Sequence, residues 1–227
     1  MWIIILLCYI APFLNKPRPN NFKILLQNIR GIFHKTDELL ISLEETSPHV
    51  LCITEHHLRM DELNNINLGH YILGSQYCRQ SLKQGGVSIF VSSDIQFHTI
   101  NLDRFNKEKD LEICTLRIGL PHKNLIIICT YRSPTGNFKH FINQLEVILD
   151  SLHKVSTNLI LCGDFNINHL EVCNRSNQLG SLLASFNLFG IVTFPTRVAT
   201  NSNTLISNIY IDTNRCTGYG SIKYFQF

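Results

Sequence analysis

A length of 227 residues suits one α/β domain with at most a short extension. A hydrophobic content of 44% excludes general disorder, because disordered chains lack the apolar side chains needed to build a core. The formal net charge of +3 permits nucleic-acid binding without requiring it.

The first segment of the chain is an apolar run, MWIIILLCYIAPFL, followed by the linker-like sequence NKPRPNN. The run is too short for a membrane span, and no basic residues precede it as they would in a signal peptide. A poor signal sequence and a short anchor remain alternatives. We favour a segment unrelated to the domain, so we predict an extension and linker over residues 1–20 and a domain that begins at Asn21.

The rest of the chain alternates short apolar runs with helical patterns. Apolar runs predict strands over residues 22–28, 49–54, 85–92, 111–118, 124–132, 158–162 and 205–211. Apolar residues at helical spacing predict helices over residues 35–45, 138–152 and 179–186. Several strands for each helix favour an α/β sandwich of mixed sheets over a regular βαβ ladder.

The eight cysteines do not form the pattern of a disulfide framework. Four of them lie inside apolar, strand-like runs, where we expect small buried hydrophobic side chains: Cys52, Cys114, Cys129 and Cys162. The absence of a C-x-x-C pair argues against a zinc ribbon. We therefore predict a reducing, intracellular location, cytoplasmic or nuclear, rather than a secreted protein.

Polar residues follow four of the predicted strands at the point where each strand ends. They are Asn28, Glu55, Tyr131 with Arg132, and Asp164 with Asn166 in the sequence LILCGDFNIN. In α/β proteins, functional sites collect where strand ends converge, because the following loops direct side chains into a shared crevice.

These side chains suit metal-assisted hydrolysis of a phosphodiester. Glu55 could hold a hard cation such as Mg²⁺, and Asp164 could accept a proton from water. Asn28 and Asn166 could orient a ligand without opposing its charge, and Tyr131 could donate to a phosphate oxygen. Taken singly, Glu55 would more often be a solvated loop acid and GDFN a turn, so the interpretation depends on the ordered combination.

Six segments carry a family resemblance: ILLQNIRGI, VLCITEHHL, GGVSIFV, ICTYRSPTGNFKHFINQLEVIL, LILCGDFNIN and TFPTRVATNSNTLISNIYI. Together they resemble the endonuclease/exonuclease/phosphatase superfamily, and more narrowly the endonuclease domain of non-LTR retrotransposons, over residues 21–213. The resemblance implies a deoxyribonuclease-I-like four-layer sandwich, in which two mixed β-sheets are flanked by helices.

The same resemblance implies a hydrolase of phosphoester bonds that uses Mg²⁺ or Mn²⁺ and nicks target DNA. It implies no small-molecule cofactor, and it allows the domain to be one part of a polyprotein with a reverse transcriptase. Asn28 and Glu55 would bind the metal, Tyr131 would contact the scissile phosphate, Asp164 would position or deprotonate the attacking water, and Asn166 would orient the phosphate.

The chain departs from the family at its C-terminal end. Relatives carry an Asp at the position of Ser207, where it orients a catalytic His that comes from a later Ser-Asp-His motif. Here the sequence ends in GYGSIKYFQF. If Ser221, Ile222 and Lys223 occupy that position, the Asp and the His have been replaced; otherwise the segment is absent. We therefore expect a divergent tail over residues 214–227 and a last strand that is missing or altered.

Other histidines offer no evident substitute. We expect His56 and His57 on the rim of the site, and His169 in a loop past Asp164. The alternative to an active endonuclease is therefore a truncated or divergent copy, catalytically impaired or inactive, that retains at most metal or nucleic-acid binding. A superfamily phosphatase acting on a small phosphoester is a third hypothesis, which the YRSPTGNF and TFPTR segments disfavour.

Overall fold

The computed structural model describes residues 4–10, 22–119, 124–153, 157–200, 202–212 and 223–226. Its strands are β1 (Ile4–Ile10), β2 (Phe22–Asn28), β3 (Val50–Thr54), β4 (Tyr71–Tyr77), β5 (Val87–Ser92), β6 (Phe97–Thr99), β7 (Glu112–Gly119), β8 (Asn124–Tyr131), β9 (Thr157–Asp164), β10 (Leu188–Gly190), β11 (Arg197–Ala199), β12 (Ser202–Thr204), β13 (Ser207–Asp212) and β14 (Lys223–Gln226). Its α-helices are α1 (Thr36–Thr46), α2 (Met60–Asn64), α3 (Phe138–Leu152) and α4 (Asn174–Ser185), and a 3-10 turn covers Asp103–Phe105.

Two six-stranded mixed sheets form the centre of the fold. Sheet 1 has the order β14-β1-β2-β3-β5-β4, and sheet 2 has the order β10-β13-β9-β8-β7-β6. Each sheet contains one parallel pair, β2 with β3 and β8 with β9, and its other pairs are antiparallel. Strands β11 and β12 form a separate hairpin.

Three apolar clusters separate four layers, which confirms the predicted sandwich. One cluster lies between the sheets and includes Leu26 and Ile127. A second packs α3 and α4 on the outer face of sheet 2, and a third packs α1 and α2 on the outer face of sheet 1. Since each sheet buries both faces, its central strands are apolar almost throughout. No helix in the described ranges is long and apolar enough to cross a membrane.

The four cysteines predicted in strands are buried in the cluster between the sheets, as expected. The sulfur atoms of Cys52, Cys129 and Cys162 lie within 4.8 Å of one another. Cys129 donates to the Ile53 carbonyl at 3.7 Å and Cys162 to the Ile128 carbonyl at 3.4 Å. The hydrogen bond with Cys129, followed by burial, raises the pKa of the Cys52 thiol, although the hydrogen bond with Cys162 opposes the rise. These residues therefore fill the core as protonated thiols.

The edge of sheet 1 differs from the prediction. Residues 1–20 are predicted to be a segment unrelated to the domain, whereas in the structure β1 pairs with the outer edge of β2 from Ile5 to Ile10. β14 then pairs with β1, so a strand lies within the tail that we expected to be divergent. The physical reason is that an unpaired strand edge offers a row of free backbone groups, which an Ile- and Leu-rich segment can satisfy.

Strand β4 was not predicted from the sequence. Its register shifts between Leu73 and Ser75 at Gly74, so apolar and polar residues do not alternate regularly along it. A Cβ atom at Gly74 would meet the Leu116 side chain at 2.9 Å, which explains the glycine. Helix α4 begins five residues before the prediction, because Cys173 and Ser176 form reciprocal capping bonds ahead of its polar first turn.

Candidate active site

The site lies where the two parallel strand pairs end. β2 ends at Asn28, and Glu55 follows β3 directly, both in sheet 1. β8 ends at Tyr131 and β9 at Asp164, both in sheet 2. Contacts across the sandwich join these four ends, so the structure brings together the side chains that the sequence predicted to converge.

Asn28 is the bridge between the two sheets. Its Nδ2 donates to Glu55 Oε1 at 2.7 Å and to Asp164 Oδ2 at 2.5 Å. Its Oδ1 is buried and has no hydrogen-bond partner. An orphaned amide oxygen beside two carboxylates is a set of hard oxygen donors, which fits Mg²⁺ or Mn²⁺. The residues present therefore fit a divalent cation, which Asn28 and Glu55 could hold.

The backbone of Glu55 is held in an unusual conformation. Its φ is +56°, in the left-handed region that few non-glycine residues adopt. Hydrogen bonds fix it on both sides: Glu55 N donates to the Gly86 carbonyl at 2.8 Å, and Gly31 N donates to the Glu55 carbonyl at 2.7 Å. Such a conformation persists only where its surroundings impose it, and it aims the carboxylate into the crevice.

The Glu55 carboxylate is ionised in this environment. Burial opposes ionisation, but the hydrogen bonds from His57 and Asn28 and the charge of Arg30 outweigh it, so its pKa lies below the ordinary value. The His57 contact joins Nε2 to Glu55 Oε2 at 3.4 Å. An ionised carboxylate is the form that holds a cation.

Asp164 is fully buried, and its pKa is shifted upwards, in the opposite direction to that of Glu55. Burial, and then the charge of Glu55, raise its pKa to about 7, although Asn166 N, Asn28 and Arg30 oppose the rise. The Asn166 N–H donates to its Oδ1 at 3.0 Å. A carboxylate with this pKa exchanges a proton near neutral pH, which suits a general base.

Gly163 explains part of the GDFN motif. A Cβ atom there would overlap the carbonyl oxygen of Thr130 on the adjacent strand, so only glycine allows β9 to reach the site in this register. Asn166 then turns the chain with φ of +49°, and its Nδ2 donates to the Arg132 carbonyl at 2.8 Å. The motif therefore combines a tight strand end with two polar groups.

Arg132, which the sequence places at a strand end beside Tyr131, is a positioning residue whose role was not predicted. It is fully buried, and its Nε donates to the Phe165 carbonyl and its Nη2 to the Asn166 carbonyl, both at 2.9 Å. Its Nη1 reaches the Gly136 carbonyl at 3.2 Å. The guanidinium therefore holds the loop that carries Asn166. An Arg after a strand more often lies at the surface, so the sequence contained no clear signal for this role.

Tyr131 lies on the inner face of sheet 2 and is nearly buried. Burial, followed by the charges of Glu55, Asp164 and Glu112, raises the pKa of its phenol well above the ordinary value. Tyr131 is therefore a neutral hydroxyl that can donate to an anionic phosphate oxygen.

The expectation for His56 was wrong. His56 is completely buried, not on the rim: its Nδ1 accepts from Leu58 N at 3.0 Å, and its Nε2 lies 3.2 Å from the Tyr77 carbonyl. Burial lowers its pKa to about 4, so it stays neutral. His169 lies in the predicted loop, with its Nε2 3.0 Å from the Tyr210 hydroxyl.

Ser207 stands directly opposite Asp164 in the pairing of β13 with β9. Its backbone N–H donates to Thr196 Oγ1 at 3.0 Å. In the described part of the chain, no histidine forms a hydrogen bond with Asp164 or Asn166. Ser221 and Ile222, which we compared with the Ser-Asp-His motif, lie outside the described residues.

A family model described as the Endonuclease/Exonuclease/phosphatase family matches residues 25–213. The endonuclease domain of TRAS1, a telomere-specific non-LTR retrotransposon, is a similar structure at 17% identity and a TM-score of 0.67, covering 84% of each chain. A search of curated proteins found no match.

Two further solved structures are similar. The AP endonuclease LMAP from Leishmania major has 12% identity and a TM-score of 0.69, over 92% of this chain and 86% of that one. TDP2 from D. rerio, complexed with single strand DNA product, has 13% identity and a TM-score of 0.59, over 83% of this chain and 82% of that one. At these identities the likeness concerns the fold.

Proposed function

Because this chain belongs to the endonuclease/exonuclease/phosphatase family, we propose that it is a divalent-metal-dependent hydrolase that nicks DNA, as in non-LTR retrotransposons. The observation that carries the proposal is the bridge of Asn28 between Glu55 and Asp164, at 2.7 and 2.5 Å. It sets a cation site from one sheet beside a proton acceptor from the other.

In the proposed mechanism, Asn28 Oδ1 and the Glu55 carboxylate would hold Mg²⁺ or Mn²⁺, which would supply charge stabilisation to the phosphate. Asp164 positions the attacking water and takes its proton, since a pKa of about 7 suits a base at neutral pH. Tyr131 donates to the phosphate, and Asn166 orients it while its own position depends on Arg132.

DNA is the proposed substrate for two reasons. The YRSPTGNF and TFPTR segments resemble those of retrotransposon endonucleases, and one similar structure is a retrotransposon endonuclease domain. Another similar protein is complexed with single strand DNA product. An endonuclease of this kind could work within a polyprotein that also contains a reverse transcriptase.

Conversion of supercoiled plasmid to the nicked form tests the proposal. We expect nicking in Mg²⁺ or Mn²⁺, none in EDTA, and a large loss with Glu55→Gln. Glu44→Gln, which changes an exposed glutamate on α1, is the matched control and should nick like the parent chain. Equal nicking by Glu55→Gln would contradict the metal assignment. Hydrolysis of para-nitrophenyl phosphate without nicking would favour a phosphatase instead.

The alternative to an active endonuclease is a catalytically impaired chain, which would have the same cation site but nick DNA slowly or not at all. It is supported by Ser207, which offers no carboxylate opposite Asp164. A triple variant, Ser207→Asp, Ile222→Asp and Lys223→His, supplies the missing family residues. A gain of ~10²–10⁴ in nicking rate would support the alternative, because that is the usual worth of a positioned acid–base group. An unchanged rate would contradict it.

A further inference from the structure

A buried ion pair lies behind the candidate site and takes no direct part in it. Glu112, at the start of β7, is 0% exposed, and Arg79 is 8% exposed. Arg79 Nε donates to Glu112 Oε1 at 2.7 Å, and Arg79 Nη2 contacts the same oxygen. Buried charged pairs seldom improve stability over apolar residues, so a pair this complete calls for a specific purpose.

The second oxygen of Glu112 links the pair to sheet 1. Glu112 Oε2 accepts from Gly86 N at 2.6 Å. The carbonyl of the same Gly86 accepts from Glu55 N at 2.8 Å. Gly86 therefore connects the Glu112 carboxylate to the left-handed backbone of Glu55 through two hydrogen bonds.

The two glycines before β5 make this arrangement possible. Both have φ of +87°. A Cβ atom at Gly85 would overlap the Arg79 guanidinium, and one at Gly86 would overlap the His56 ring. The Gly85 carbonyl also accepts from His57 N at 2.9 Å. The guanidinium and the buried imidazole therefore pack directly on the turn that holds residues 55–57.

The same ion pair reaches the sheet 2 half of the site. Glu112 is the register partner of Tyr131, and the Arg79 guanidinium carbon lies 5.8 Å from the centre of the Tyr131 ring. The pair therefore contacts the turn behind Glu55 on one side and the Tyr131 ring on the other.

We propose that Glu112 and Arg79 are a positioning pair, which fixes the Gly86 carbonyl and through it aims the Glu55 carboxylate at the cation. This inference rests on the proposed function, because it concerns the same cation site. Neither residue contacts the cation or the substrate in this account, and both act through Gly86 and Tyr131.

Glu108, which precedes β7, provides a matched comparison because it anchors the same loop between β4 and β5. Its carboxylate accepts from the backbone N–H groups of Gln80, Ser81 and Leu82 at 2.7 to 2.8 Å. It therefore holds the loop before β5 by the same chemistry as Glu112, but it has no hydrogen bond to Gly86 and it is partly exposed. Glu108→Gln tests loop anchoring, whereas Glu112→Gln tests anchoring of Glu55.

Titration of each folded protein with Mn²⁺, followed by the electron paramagnetic resonance of free Mn²⁺, measures affinity without any turnover. We expect Glu112→Gln to weaken Mn²⁺ binding by ~10-fold or more, as loss of an outer partner typically does, and Glu108→Gln by less than about twofold. Arg79→Lys keeps the charge but loses the planar fork, and should weaken binding in the same direction. It decides the question if Glu112→Gln does not fold.

The outcomes separate the two proposals. If the unaltered chain binds no Mn²⁺, the proposed function fails. If it binds Mn²⁺ and Glu112→Gln or Arg79→Lys binds equally well, only the positioning pair is overturned. Equal losses in Glu112→Gln and Glu108→Gln would also overturn it, because general loosening of the loop would then explain both.

Discussion

The two ends of the sandwich differ in how many loop residues adopt a left-handed backbone conformation. Eight non-glycine residues in the described part of the chain have a positive φ. Ser47 and Asn187 follow the ends of α1 and α4, where a left-handed residue is ordinary. The other six lie in loops around the candidate site: Arg30, Glu55, His57, Gln84, Lys109 and Asn166.

The two ends of the sandwich also differ in the hydrogen bonding of their buried asparagines. Asn28, at the site, donates to two carboxylates and connects the sheets. Asn158, near the start of β9, is buried with neither side-chain polar atom hydrogen-bonded. Strained backbone and bridged polar side chains thus accumulate at one end of the sheets, which is the pattern expected where structure is shaped by function.

The largest expected effect on stability is at Arg132. Arg132→Met would leave the carbonyls of Phe165, Asn166 and Gly136 without their donor, so the free energy of unfolding should fall by at least about 3 kcal/mol. Urea denaturation measures this fall. Arg197→Met, on the exposed hairpin, is the control and should change stability little. A loss no larger than that of the control would remove Arg132 from its positioning role.

The ionised Asp164 carboxylate should lower the stability of the folded protein near neutral pH. Its folded-state pKa of about 7 exceeds the ordinary value of 3.8, so the folded state binds the proton more tightly, and stability falls as pH rises between about 4 and 7. Asp164→Asn removes this charge, although it also loses one hydrogen-bond acceptor. Its free energy of unfolding relative to the metal-free parent chain should therefore be about 2–4 kcal/mol higher at pH 8 than at pH 4.5.

This gain should shrink as the pH approaches 4, because Asp164 is then protonated in the folded state and begins to be protonated in the unfolded state. Denaturation in EDTA at pH 4.5 and pH 8 measures it, with Asp150→Asn on the exposed face of α3 as the control. A gain that does not depend on pH would contradict the raised pKa.

Removal of residues 1–20 tests whether the apolar segment belongs to the fold. The truncated chain begins at the predicted domain boundary and loses β1, which pairs with β2 from Ile5 to Ile10. We expect a loss of about 2 kcal/mol and more self-association, because the edge of β2 becomes unpaired. Denaturation and sedimentation measure the two effects, and an unchanged profile would show that the segment is dispensable.

The smallest expected effect is on the pH profile of nicking. With Asp164 as base, the rate should rise by about tenfold per pH unit below the pKa of Asp164 and level off above it. The pKa of about 7 belongs to the metal-free site, and a cation bound at Glu55 should lower it by neutralising the charge that raises it. Single-turnover nicking between pH 4.5 and pH 8.5 measures this profile. A rate already level from pH 4.5 would mean that a group other than Asp164 acts as the base.

Much of the fold could be predicted from the sequence, because the sandwich buries long apolar strands. The strand over residues 22–28 and the helix over residues 138–152 were predicted with their observed bounds. The family resemblance was also confirmed. Strand β4 was missed because Gly74 breaks its alternation, and the pairing of β1 depends on a distant edge that local patterns do not reveal.

The residues of the candidate site could be predicted from the sequence, but the residues that position them could not. Asn28, Glu55, Tyr131, Asp164 and Asn166 are polar residues at strand ends, which a sequence displays. Their roles remain predictions. Arg132, Arg79 and Glu112 act through buried contacts with backbone groups far along the chain, and a charged residue in a sequence does not indicate that it is buried.

The most direct test of the central claim compares two buried aspartates at opposite ends of sheet 2. Asp164 ends β9 at the site, and Asp212 ends β13 at the far end, 3.8 Å from His153. Plasmid nicking in Mg²⁺ by Asp164→Asn should fall by ~10²–10⁴, whereas Asp212→Asn should nick at the rate of the parent chain. Equal rates for the parent chain and Asp164→Asn would contradict the account.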